Sequence, residues 1–130
     1  SPRWYRNRLW LLDSGNGRLV TADPDTGCVT PVAEVPGYAR GLALRGDYAF
    51  IGLSKIRPGS SLESIPWASR RDQLRCGVWI CDLQSGKSIG QVEFQGAVTE
   101  VFDVQLLTEH RFPAVIGLSR ETVQRAYSIP

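Results

Sequence analysis

Asp23-Pro24-Asp25-Thr26-Gly27 and Asp82-Leu83-Gln84-Ser85-Gly86 are two copies of one turn. Each sets an Asp at the end of an apolar run and a Gly four residues later. This is hairpin chemistry: the Asp side chain accepts backbone N–H bonds inside the turn, and the Gly takes the positive φ that closes it. The spacing beyond the turns repeats too. The next loop glycines, Gly37 and Gly96, both follow ten residues on.

A second pair lies outside the first. Ile51-Gly52-Leu53-Ser54-Lys55 matches Ile116-Gly117-Leu118-Ser119-Arg120, and Leu11-Leu12-Asp13-Ser14 is a weaker third copy. Ser14 to Ser54 spans 40 residues and Ser54 to Ser119 spans 65. The excess of 25 falls in two places, 19 residues between Ser54 and Asp82 and 6 between Gly96 and Ser119. One unit of ~40 residues therefore recurs with one long and one short insertion, and four-stranded propeller blades recur at about that length.

Short apolar runs cut by Gly, Asp, Asn and Pro predict strands at Arg8–Asp13, Arg18–Asp23, Cys28–Val35, Arg40–Leu44, Tyr48–Ser54, Gly77–Asp82, Ser88–Phe94, Val101–Leu107, Pro113–Ser119 and Gln124–Ile129. The best helix candidate, Ser61–Gln73, carries Pro66 in its middle. Arg40–Leu44 to Ser88–Phe94 form a complete unit; the unit before it lacks its first strand and the unit after it its fourth. The expected fold is all-β: antiparallel four-stranded blade-like repeats, about two and a half blades of a β-propeller. A single meander or a sandwich is the alternative. The whole chain, 1–130, reads as one β-repeat domain with an insertion loop at 55–75. An array of this length does not close by itself and leaves strand edges unpaired.

Composition limits the function classes. The chain has 130 residues, is 42% hydrophobic and 22% charged, and carries a net charge of +2. That charge is too small to argue for nucleic acid. The excess is local, since Ser54–Arg75 holds five basic residues against two acidic ones. No window supplies the ~18 apolar residues of a membrane span, and residues 1–20 lack a signal-peptide core. The absence of Met predicts a processed chain or a piece of a longer reading frame. Three cysteines do not make a full disulfide framework. Cys76 and Cys81, ~16 Å apart on opposite faces of one strand, cannot bond each other. A reducing, cytoplasmic setting follows as the default.

Ser1-Pro2-Arg3-Trp4-Tyr5, Arg8-Leu9-Trp10-Leu11-Leu12-Asp13-Ser14-Gly15, residues 40–49, Gly52-Leu53-Ser54-Lys55, Arg75-Cys76-Gly77-Val78-Trp79 and the Asp82–Gly86 turn resemble a family of uncharacterised bacterial proteins with propeller-like repeats. The resemblance spans nearly the whole chain and corresponds to the carboxyl-terminal part of longer members. It implies architecture and no activity.

Candidate chemistry gathers in two places. Arg40 and Glu100 hold near-equivalent repeat positions at the entry to the innermost strands, with Asp103 close by. A cation and an anion at a channel mouth grip a polar or zwitterionic ligand, or else form a salt bridge between units. The insertion offers Lys55, Arg57 and Arg75 with Trp67, and arginine forks match phosphate and carboxylate. Its ordinary reading is an oligomer contact or a flap with solvated charges. Cys76 beside Arg75 is either a thiol with lowered pKa or a packed side chain. Asp13, Asp23, Asp25 and Asp103 suit Ca²⁺ or, more simply, turns. No zinc spacing, phosphate cradle or nucleophile elbow occurs, and the residues name no catalytic group, no metal ligand and no cofactor.

The expected function is a non-catalytic binding or assembly module, self-associating or part of a longer propeller. Its partners are a second copy of the chain and a small polar or anionic ligand, not nucleic acid or a membrane. The alternative is a metal-assisted hydrolase or lactonase-like enzyme, on fold analogy alone.

Overall fold

The computed structural model describes residues 1–56 and 64–111. It holds eight strands in two antiparallel four-stranded sheets, each a simple meander. The first runs β1 (Arg3–Tyr5), β2 (Arg8–Asp13), β3 (Arg18–Ala22), β4 (Val29–Glu34). The second runs β5 (Tyr38–Arg45), β6 (Tyr48–Ser54), β7 (Gly77–Asp82), β8 (Ser88–Glu93). The chain is all-β, built of blade-like sheets.

The repeated turn does in both sheets what its residues dictate. Asp23 Oδ1 accepts the backbone N–H groups of Asp25 (2.9 Å) and Thr26 (3.1 Å), and Gly27 closes the turn at φ 70°. Asp82 Oδ1 accepts from Ser85 N (2.6 Å) and Ser85 Oγ (2.7 Å), and Gly86 closes at φ 69°. The flanking backbone bonds match as well: Asp23 N–H to Cys28 O and Asp82 N–H to Lys87 O, both 2.9 Å.

The two sheets pack face to face. Trp10, Leu19, Ala33 and Val35 of the first meet Ala39, Leu42, Ala49, Ile51, Leu53, Trp79 and Cys81 of the second in one core. Tyr5 Oη donates to Gly46 O (3.0 Å) and the Arg6 guanidinium meets Asp47 at 2.6 Å, clasping one end. The insertion clamps the other end. A 3₁₀ helix, Pro66–Gln73, buries Trp67 with Ile56 and Leu74 in a second small core. A Cβ at Gly17 would lie 2.5 Å from Trp67 Nε1 and 2.6 Å from Val35 O, so only glycine lets the ring in. The Arg75 N–H then bonds Pro36 O at 3.1 Å.

Three expectations need correction. The first unit has its own first strand, β1, so two units are complete. At three residues β1 is below the length a pattern reading detects, and its turn to β2 is Arg6-Asn7, at φ 50° and 57°, in place of the usual Asn-Gly. The helix is 3₁₀ and starts at Pro66, which suits a first turn because its missing N–H would have no intrahelical partner. Val101–Leu107 is not a strand. It crosses the face of the second sheet: the Gly41 Cβ position falls 2.6 Å from Asp103 Cα and from Val104 N. Among the described residues it has no strand to ladder with, and its backbone is irregular. The strands expected at Pro113–Ser119 and Gln124–Ile129 lie outside the described residues, as does the Ile116–Arg120 copy.

Candidate ligand-binding site

Ser54 ends β6 and is the one buried polar side chain of the described core, 1% exposed. Its Oγ donates to Val101 O (3.1 Å) and accepts from Val101 N–H (2.9 Å). Next to it, Lys55 N–H bonds Thr99 O (2.8 Å). These bonds bring the 99–104 segment onto the sheet. Gly52 makes room beneath it, since a Cβ there would run into the Arg40 carbonyl and lie 2.7 Å from the Val101 side chain. The motif Ile51-Gly52-Leu53-Ser54 thus alternates two core residues with a gap and a grip.

The segment carries Glu100 to Arg40, whose guanidinium stands 3.7 Å from the carboxylate. The same guanidinium lies over the Phe102 ring, 4.6 Å from its centre. A ring face attracts a cation through its quadrupole, so Phe102 fixes the charge that Glu100 neutralises. Asp103 faces Arg3 at 3.7 Å and accepts from the Gln105 amide at 2.7 Å. That amide, then the Val104 N–H, and more weakly Arg3 and the chain's amino terminus hold the Asp103 carboxyl below its usual range.

Cys76 is buried at the insertion's return. Loss of hydration pushes its thiol up; the charge of Lys55 works against this and that of Glu100 with it. Of the two readings open to Cys76, the packed side chain is the one this burial fits. Arg75 turns instead to Glu93 on β8, 3.7 Å away. Cys81, in the core between the sheets, is pushed up to about 11 by burial. All three cysteines are free thiols.

Arg40, Lys55, Glu100 and Asp103 thus belong to one end of the second sheet, while Arg75, still half exposed, reaches towards Glu93 on β8 and Arg57 lies outside the described residues. Phe102, Ser54 and Arg3 are not among the candidate site residues the sequence offers. The repetition of Ser in three copies of one motif was the available signal for Ser54; nothing local marks Phe102 or Arg3. Beyond Asp103, a cleft of about 370 Å³ is lined by Arg3, Trp4, Tyr5, Arg45, Gln105 and Thr108, among others. Among the described residues, no group of three or more His, Cys, Asp or Glu is placed to hold a metal ion. No helix among them is long and apolar enough to cross a membrane.

Comparison with known families matches residues 1–116 to the family described as Domain of unknown function (DUF4915). The chain belongs to the DUF4915 family. A search of curated proteins finds no match to this DUF4915 chain. The family assignment therefore carries no activity, and function rests on the geometry.

Proposed function

We propose that this DUF4915 chain is a non-catalytic, propeller-type binding and assembly module whose sheet stack is continued by further units. The observation that carries this is apolar surface on both outer faces. Trp4 is 64% and Val29 55% exposed on the outer side of the first sheet, and Tyr48 and Val92 are exposed on that of the second. Exposed apolar patches of this kind mark association surfaces. Light scattering at micromolar concentration is expected to give a mass above that of one chain. A monomer across that range would sink the reading.

The ligand part of the reading puts a small polar or anionic molecule at the end where Arg40, Lys55, Glu100 and Asp103 meet, with Arg57 and Arg75 on the insertion. Lys55 and Arg75 are both exposed. Citrate and phosphate are expected to raise the melting temperature by linkage. A triple Lys55→Ala, Arg57→Ala, Arg75→Ala variant should keep its circular dichroism and lose that response; an undiminished response in it discards the site.

A further inference from the structure

The repeat relates more than the turns; it relates the two faces of each sheet. Aligning Asp23 with Asp82 and Ser14 with Ser54 sets Leu19 against Val78, Ala33 against Val92 and Val35 against Phe94. In the first sheet these residues face the second and are buried: Leu19 is 0%, Ala33 4% and Val35 3% exposed. Their mates Val92 and Phe94 are 56% and 36% exposed on the far side of the second sheet. The far side of the second sheet is thus the same kind of surface that the first sheet buries internally.

The converse holds at the other end. One cross-strand row of the second sheet, Leu44–Ala49–Cys81, packs into the core against the first sheet. Its mate in the first sheet is Trp4–Leu9–Ala22, which pairing extends to Val29 and which points away from the second sheet. The turns agree. A Cβ at Gly86 would run into the Val32 carbonyl at the β4 bulge of the first sheet, whereas the same atom at Gly27 meets nothing within 4 Å. The space beside Gly27 is open among the described residues, where the equivalent space beside Gly86 holds the neighbouring sheet.

We infer that the outer face of β1–β4 docks a second copy of this chain, head to tail, through the copy's outer β5–β8 face. The two open faces occupy the repeat positions that form the interface inside the molecule, with Trp4, Leu9 and Ala22 standing where that interface has Leu44, Ala49 and Cys81, and Val92 and Phe94 where it has Ala33 and Val35. The Val101–Val104 segment occupies the Gly41 and Gly52 part of the donor face and leaves the β7–β8 part with Val92 and Phe94. Such an interface is heterologous: it closes into a ring or runs on as a filament, and it does not make a two-fold dimer. The inference rests on the assembly reading above and specifies its geometry.

Two variants test it at exposed positions that folding tolerates: Val29→Glu on the acceptor face and Val92→Glu on the donor face. Circular dichroism checks that each retains the sheet spectrum. In sedimentation at 10–100 μM (on the order of weak interface affinities), each variant alone is expected to be monomeric. An equimolar mixture is expected to give a dimer and nothing larger, because each partner keeps one intact face. A wild-type oligomer whose two variants fail to complement on mixing overturns the head-to-tail geometry and leaves the assembly reading standing. A wild-type monomer overturns both.

Discussion

Single atoms decide how the 99–104 segment is held. Ser54 supplies one hydroxyl to both backbone groups of Val101, and Ser54 itself is buried. Removing the hydroxyl takes this partner from the half-buried N–H and C=O of Val101, at up to about 1–3 kcal/mol for each group. Ser54→Ala is therefore expected to lower stability by about 2 kcal/mol or more in urea unfolding. A loss below roughly 0.5 kcal/mol, the range of an ordinary surface substitution, would mean the segment is not held there. The serine was visible in the sequence as a repeated letter. Its partner was not, because 47 positions separate it from Val101 and nothing local links them. The same holds for Arg40, whose ion pair with Glu100 was one of the readings open to it but whose contact with Phe102 was not.

At the scale of elements, the turns were the most legible feature and the edges the least. Asp23 and Asp82 have local jobs, accepting bonds from residues two and three positions away, so spacing alone reveals them. Backbone bonds from Thr26 and then Asp25 hold the Asp23 carboxyl below its ordinary 3.8. The Ser85 hydroxyl and then its N–H do the same for Asp82. A depressed carboxyl stabilises the fold above its unfolded pKa, and that contribution is lost as pH falls through the lower folded value. The melting temperature is expected to fall between pH 5 and pH 3, and an Asp23→Asn, Asp82→Asn variant should show a shallower fall. Parallel curves for the two proteins would remove the turns from the acid response. β1 escaped notice for the opposite reason. Its three residues carry little pattern, and it exists because β2 offers it an edge and Tyr5 and Arg6 bind the second sheet. Val101–Leu107 has a strand-like composition and no ladder partner among the described residues, which shows that β propensity reports a suitable surface and not a strand.

The whole molecule is governed by strands that are apolar on both sides. Leu9-Trp10-Leu11-Leu12 in β2 and Val78-Trp79-Ile80-Cys81 in β7 are continuous apolar runs without alternation. Such strands ask for cover on both faces of their sheet. Among the described residues the two stacked sheets cover two of the four faces and the 99–104 segment covers part of a third, which is why what stays open drives both the assembly reading and the head-to-tail inference. The insertion belongs to this scale as well. By inserting Trp67 against the Gly17 turn of the first sheet while rooted in the second, it ties the units together and is not a free flap in its described part. The sequence by itself determined the repeat, the turns and all but the shortest of the observed strands, because each depends on residues within a few positions of one another. Only the tertiary structure decided which faces are spent on each other, where the irregular 99–104 segment lies and which charges are already paired, because those follow from contacts between units whose residues are tens of positions apart.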